Sequence, residues 1–324
     1  MTRASTPRIT RDLAELVLAG LASFLAASAA IPGWPIAGHS PQAPLGEHQT
    51  VTLAASGASY LSPTTLHEVT GAHIEVTETI TGVASTGNSP IASWTVHTAT
   101  YDTTRHQQLE PKSRTLVFNR RSAELINCCD ENINGNGLIR QSGVAGYVFP
   151  VGTRRQTYGV FDDVLNSPEP VTYSGTGTVD GIPVYRFTES ISAARAGYSP
   201  VSFSDPQRYS IHRVYWVDPE TGEVLAVSED EDLYLAKTIT DSPVTHLLHA
   251  NLRTTPATVA MLARQDEGAR HEIAVTARIR VAFAAVAGVL AVIAGFLLAR
   301  RRSTRSASVR PAGSAQPARA PVQH

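Results

Sequence analysis

Val281–Ala299 reads VAFAAVAGVLAVIAGFLLA, nineteen residues without a charge or a proline, and it runs into Arg300, Arg301 and Arg302. At about 1.5 Å per residue, a helix of this length covers close to the ~30 Å hydrocarbon core of a bilayer. A helix apolar on every face has no side to turn to water. Arg278 and Arg280 before it and the arginine triplet after it put charges at both ends and none between. The stretch predicts a membrane-spanning helix, and the rest of the chain is read outward from it.

At the other end, Leu13–Ile31 is a weaker apolar stretch with Glu15 near its start. Two readings stand: a cleaved signal peptide, with small residues at Ala27, Ser28 and Ala29, or an uncleaved anchor, which Trp34 after Pro32 suits as an interfacial residue. Either one exports the middle of the chain.

The formal net charge is −1, but it is unevenly spread. Residues 1–31 carry Arg3, Arg8 and Arg11 against Asp12 and Glu15, and residues 278–324 carry arginines and no acidic residue, which leaves the middle acidic. Basic flanks beside a span stay cytoplasmic. The expected order is a cytoplasmic N-terminus (1–12), a transmembrane helix or signal anchor (13–31), an extracytoplasmic β-rich domain (35–254), a juxtamembrane helix (255–280), a second transmembrane helix (281–299) and a disordered basic cytoplasmic tail (300–324), in the plasma membrane. An acidic ectodomain argues against nucleic acid as a partner and against docking on an anionic membrane surface by charge attraction, so the membrane is the expected partner through the spans.

From Gln49 onward, short β-branched and aromatic runs alternate with Gly, Pro, Asn and Asp, the pattern of strands and turns. The expected strands are Thr50–Ala55, His73–Ile80, Ser93–Tyr101, Arg114–Phe118, Thr157–Phe161, Val171–Tyr173, Val184–Ile191, Tyr209–Val217, Glu223–Ser228 and Leu233–Ile239. Asp218-Pro219-Glu220-Thr221-Gly222 reads as a hairpin turn, with Pro219 presetting φ and Gly222 supplying a positive φ. A looser hairpin is expected over Arg114–Ile126, and a helix from Thr255 with Pro256 in its first turn. The fold class is therefore mainly β, with antiparallel sheets forming a sandwich or a curved, barrel-like sheet, flanked by N- and C-terminal transmembrane helices.

Cys128 and Cys129 are the only cysteines. Adjacent in sequence and outside the cytosol, they form a vicinal disulfide, rest as two buried thiols, or do metal or redox work; the first is the leading expectation. Asp130, Asn132 and Asn134, with Gly135, match the opening of a calcium loop, but Gln141 stands where a bidentate Glu is needed, so an Asn/Gly-rich turn is the better reading. Glu229-Asp230-Glu231-Asp232 reads as a solvated acidic loop between strands. His246 and His249 are three apart with no acidic partner near in sequence, so no metal centre is expected there. No nucleophile elbow, zinc-protease helix, phosphate loop or dinucleotide fingerprint is present, so the expectation is a protein without cofactor and without enzymatic activity.

Ala43-Pro44-Leu45, Leu61–Leu66, Val117–Arg121 leading to Cys128-Cys129, Tyr147–Thr153, Val179–Tyr185 and Val214–Gly222 together resemble an actinobacterial family of unknown function that carries the label porin PorA family. The resemblance implies a membrane-tethered extracytoplasmic domain and brings no catalytic residues. Asn119 and Ala123 depart from it, the one standing for an acidic residue and the other for the glycine that closes the turn. A lipid-facing barrel needs strands of about ten residues with an apolar outer band, and the runs here are shorter, with Thr, Ser and Glu on both faces. The expected function is a non-enzymatic envelope protein whose ectodomain binds or carries a lipid, glycolipid or wall component; a porin and an envelope sensor are the alternatives.

Overall fold

The computed structural model describes Leu21, Ser23 and residues 42–83, 89–109, 111–196, 206–236, 243 and 245–306. It divides into two compact units, Pro41–Ile273 and the remainder. The expected N-terminal helix lies outside the described residues except at Leu21 and Ser23, which are helical.

The first unit is built on one antiparallel sheet of twelve strands: β1 (His48–Leu61), β2 (Glu68–Gly82), β3 (Ile91–Asp102), β4 (Gln107–Gln108), β5 (Lys112–Asn119), β6 (Asn132–Ile133), β7 (Tyr158–Asp162), β8 (Ser167–Val179), β9 (Ile182–Arg195), β10 (Gln207–Val217), β11 (Val224–Leu235) and β12 (Thr245–Thr254). Its order is β6-β5-β3-β2-β1-β12-β11-β10-β9-β8-β7, with β4 on β3. The chain thus zigzags through neighbours and brings β1 back against β12. The far edges are then joined by short bridges: Phe118 of β5 pairs with Leu125, Glu124 with Val144, and Val144 with Val160 of β7. Of the two sheet geometries expected, the structure is the curved one, closed on itself as a barrel rather than split into a sandwich. Closure leaves few unpaired edge amides, which is how such a sheet avoids templating another chain.

Alternation explains which residues face inward. On β2, Ile74 and Ile80 are buried while Glu75 and Thr81 between and beyond them are exposed. On β3, Ala92, Trp94 and Val96 turn in, and on β5, Leu116 and Phe118 do. These pack with Phe149, Tyr158, Phe187, Tyr215 and Val217 into an apolar layer at one end of the barrel. Phe149 stacks on Phe187 with ring centroids 5.3 Å apart, and Trp94 meets Phe118 edge-on at 4.8 Å. Each such ring contributes roughly 2–3 kcal/mol through burial. A second cluster, Leu53, Ala55, Ala58, Tyr60, Ala72, Ile74, Ala250 and Leu252, lies on β1, β2 and β12.

Three expectations are corrected. The strands are longer than the apolar runs, 14 and 15 residues for β1 and β2, because polar residues continue the alternation beyond them. Glu229–Asp232 is not a loop but the middle of β11, its members alternating between the two faces of the sheet. The whole of β12 went unanticipated, since a β-bulge at Leu247 breaks its periodicity.

Pro219 and Gly222 make the expected hairpin turn, with Gly222 at φ +83° and the Asp218 amide donating to the Glu223 carbonyl at 2.9 Å. A Cβ on Gly222 would collide with the Phe149 carbonyl oxygen, so this glycine also admits the strap that carries Phe149. The hairpin after β5 returns by a single bridge rather than a strand, and Ala123 there takes φ +55°.

Helix α1 (Pro256–Ser306) starts where expected, with Thr255 as its cap: the Thr258 amide donates to Thr255 Oγ1. Its first turns pack Leu262 and Ala263 against Ile182, Val184 and Leu225 on the outer face of the sheet. It is one helix long and apolar enough to cross a membrane, and Val281, Val286, Val289, Val292 and Phe296 on it are exposed.

Candidate functional site

One step along each strand from the aromatic layer, the inward-facing positions stop being apolar. On β10 the inward series runs Val217, Tyr215, Arg213, and on β9 it runs Phe187, Glu189. Arg213 is paired in register with Glu229 on one side and Glu189 on the other. Its Nε donates to Glu229 Oε1 at 2.5 Å and its Nη1 to Glu189 Oε2 at 2.6 Å, with Asp162 Oδ2 at 3.7 Å. Glu189 and Asp162 are almost wholly buried.

The opposite wall supplies Glu78 of β2, in register with Thr98 of β3, which is itself in register with Lys112 of β5. Arg114 of β5 donates from Nε to Gln141 Oε1 at 2.8 Å and lies 4.8 Å over the Phe161 ring. The belt therefore runs around the barrel: Glu78, Lys112, Arg114, Asp162, Asp163, Glu189, Arg213, Glu229 and Glu231.

These groups sense each other across the barrel. Burial, then Glu229 and Asp163 from other walls, push the Glu78 carboxyl up to about 7. Burial likewise lifts Glu189 to about 7 against the pull of Arg213, and Glu231 to about 7 against Lys112. Burial also opposes charge on Asp163, but Lys112 and Arg114 hold it below the usual carboxylate range. Burial disfavours the Arg213 cation, and the surrounding carboxylates more than restore it. A set of carboxyls poised near neutrality inside a barrel is a feature of functional interiors and of structural ion networks alike.

Solvent reaches part of the belt. Glu78, Lys112, Asp163, Glu229 and Glu231 keep partial exposure although they face inward, whereas the aromatic layer beneath them is sealed. Among the described residues, Arg114 Nη2 and Glu189 Oε1 are buried without a hydrogen-bond partner. An unmatched buried donor and acceptor cost about 1–3 kcal/mol each. The lining of this belt is charged rather than apolar.

Of the residues singled out from sequence, Glu229 and Glu231 belong to the belt, and the cysteine pair with the turn after it does not. Cys128 and Cys129 are joined by a disulfide, with Cys129 and Asp130 at φ +63° and +73°. The loop around them is braced from Asn127, whose amide side chain donates to the Gln141 carbonyl at 2.7 Å and accepts the Gln141 amide at 2.8 Å. Gln141 is the residue that holds Arg114, so this turn positions one cation of the belt. Asn132 Oδ1 accepts the Gly135 amide and Asn134 Oδ1 the Ser113 amide, so both oxygens serve the turn, with Asn132 Nδ2 on the Asp130 carbonyl.

His246 and His249 have an acidic partner in space, fourteen residues before His246 in the chain. Asp232 of β11 is in register with His249, and Asp232 Oδ1 stands 2.7 Å from His246 Nδ1. The belt itself was missed. Its signal was a charge in the inward phase of an alternating strand, as with Glu78 between Val76 and Ile80, Arg213 between Ile211 and Tyr215, and Glu189 between Phe187 and Ile191.

Compared with known families, residues 14–297 match the family described as Porin PorA. No curated protein matches the chain.

Proposed function

The chain belongs to the porin PorA family, and from that premise we propose that it is a non-enzymatic, membrane-tethered envelope protein whose barrel takes a polar ligand, a glycolipid headgroup or wall saccharide, into its charged belt. The observation that carries the reading is the pairing of partly exposed inward charges with an unmatched donor on Arg114 and acceptor on Glu189. Carboxylates, arginines and the nearby Tyr147, Tyr209 and Tyr215 are the side chains that grip polyhydroxyl compounds, while an acyl tail gains nothing from such a lining.

Two further features support a tether. Apart from the patch of Ile182, Val184 and Leu225 covered by α1, the outward positions of β1, β2 and β3 are mostly Thr, Ser, Glu and His rather than an apolar band, and the large exposed apolar side chains concentrate on α1. Arg3, Arg8 and Arg11 before the first apolar stretch and the arginines after Ala299 support a topology with both termini in the cytoplasm and the barrel outside the plasma membrane.

The test is gentle purification of the full chain from its own membrane, followed by mass spectrometry of co-purified lipids and glycans and by thermal denaturation with each candidate. A bound ligand raises the midpoint as RT ln(1 + [L]/Kd) requires. The family's description favours a second reading, a pore. Ion conductance from the full chain in planar bilayers, with no glycan or glycolipid bound, would replace the first reading with the second.

A further inference from the structure

On the outer face of the sheet, away from the belt, Asp232, His246 and His249 bring one carboxylate oxygen and two imidazole nitrogens within 4.8 Å of one another. We propose that these three residues form a binding site for a divalent transition-metal ion of the zinc class.

The argument begins with spacing. In a regular strand, residues three apart point to opposite faces, so His246 and His249 ought to be separated by the sheet. They are not, because β12 carries a bulge. Thr245 and His246 pair with Leu235 and Tyr234, while Leu248 and His249 pair with Leu233 and Asp232, leaving Leu247 as the extra residue. The bulge resets the phase of the strand and turns both imidazoles to the side that Asp232 occupies. Bulges are the usual device by which a strand re-aims a side chain at a site.

The donor geometry fits. Asp232 Oδ1 is 2.7 Å from His246 Nδ1 and 3.8 Å from His249 Nδ1, and the two rings have centroids 5.4 Å apart. Tetrahedral coordination with bonds of about 2.0–2.1 Å separates neighbouring ligand atoms by about 3.3 Å. The observed pair of distances brackets that value, so small rotations of the imidazoles admit an ion in place of the His246–Asp232 hydrogen bond. Two imidazoles and one carboxylate select zinc-class ions over calcium or magnesium, which prefer oxygen-only sets.

Access is open. The side chains of Asp232, His246 and His249 are 24%, 29% and 48% exposed, so an ion enters without unfolding the strand. Three protein ligands leave a coordination position for water or for a donor from another molecule. The site thus gives the ectodomain a metal-dependent contact point on its outer wall.

The experiment uses the full chain in mild detergent, carrying no polyhistidine tag and stripped with chelator. Zn²⁺ is titrated by calorimetry, and Co²⁺ by its visible absorption with Zn²⁺ as competitor. One ion per chain is expected, with binding weakened at least tenfold by each of His246→Gln, His249→Gln and Asp232→Asn. His212→Gln, whose ring is hydrogen-bonded to Ser190 on the same face, should bind as the parent does. Circular dichroism and the metal-free thermal midpoint identify any variant that fails to fold, and the remaining two then decide. Absence of stoichiometric binding in the parent, or binding unchanged in every folded site variant, overturns the proposal and leaves an ordinary hydrogen-bonded surface pair.

Discussion

Asp266→Asn should remove a defined part of the pH dependence of stability. Asp266 sits in the first turns of α1, outside the apolar span, and is 1% exposed. Its Oδ1 accepts a hydrogen bond from Thr221 at 2.5 Å, its Oδ2 is buried without a partner among the described residues, and Asp218, salt-bridged to Arg270 at 2.5 Å, lies beside it. Burial, followed by the neighbouring Asp218 carboxyl, pushes the Asp266 carboxyl up to about 7 from 3.8. Because the folded value lies above the unfolded one, the folded state holds the extra proton between these limits, so stability is greatest at the acid end and falls as pH rises towards 7. At about 1.4 kcal/mol per pH unit the loss is at most on the order of 4 kcal/mol. Asn keeps the shape, stays neutral at every pH and can donate to Asp218. The variant should therefore match the parent near pH 4.5 and exceed it in stability at pH 8. Urea unfolding of the full chain in detergent, followed by fluorescence of the buried Trp94, reads this directly when parent and variant are compared at several pH values. Glu223, pushed up to about 8 by burial, then by Glu47 and Asp266, is relieved in part by the same substitution and adds to the difference in the same direction. A difference that stays flat from pH 4.5 to 8, or a variant less stable at pH 8, refutes the reasoning.

Arg213→Ala should cost about 3–5 kcal/mol at pH 8, since Glu189, Asp162 and Glu229 lose their shared cation. The penalty should shrink at pH 5, where Glu189, held up near 7 by burial, takes a proton instead; thermal denaturation at the two pH values checks the sign. Gly222→Ala meets both a positive φ and the Phe149 carbonyl, so a loss of at least about 2 kcal/mol in urea titration is expected. Leu66 holds φ +57° while 70% exposed. Leu66→Gly should raise stability by roughly 0.5–1 kcal/mol, and a lower midpoint would contradict this reading of the turn.

How much of this was legible in the chain depends on the range of the interaction. The apolar helix, the strand texture, the start of α1 at Thr255-Pro256 and the turn closed by Gly222 are written in neighbouring residues, because hydropathy, alternation, capping and turn chemistry act over a few positions. Asp218–Gly222 reads correctly for that reason: Pro219 and Gly222 constrain their own dihedral angles whatever surrounds them. The acidic run Glu229–Asp232 reads wrongly for the converse reason. Four carboxylates in a row look solvated until Arg213 of β10 and His246 of β12 are brought alongside.

By itself, then, the sequence determined a β-rich unit followed by one long apolar helix, since those follow from local period and composition. Only the tertiary structure decided that the sheet closes, that Glu78, Glu189 and Arg213 meet inside it, and that a single extra residue, Leu247, sets two histidines beside Asp232. Closure and register depend on which strands pair and with what offset. A one-residue shift in that offset exchanges the two faces of a strand while leaving its composition untouched.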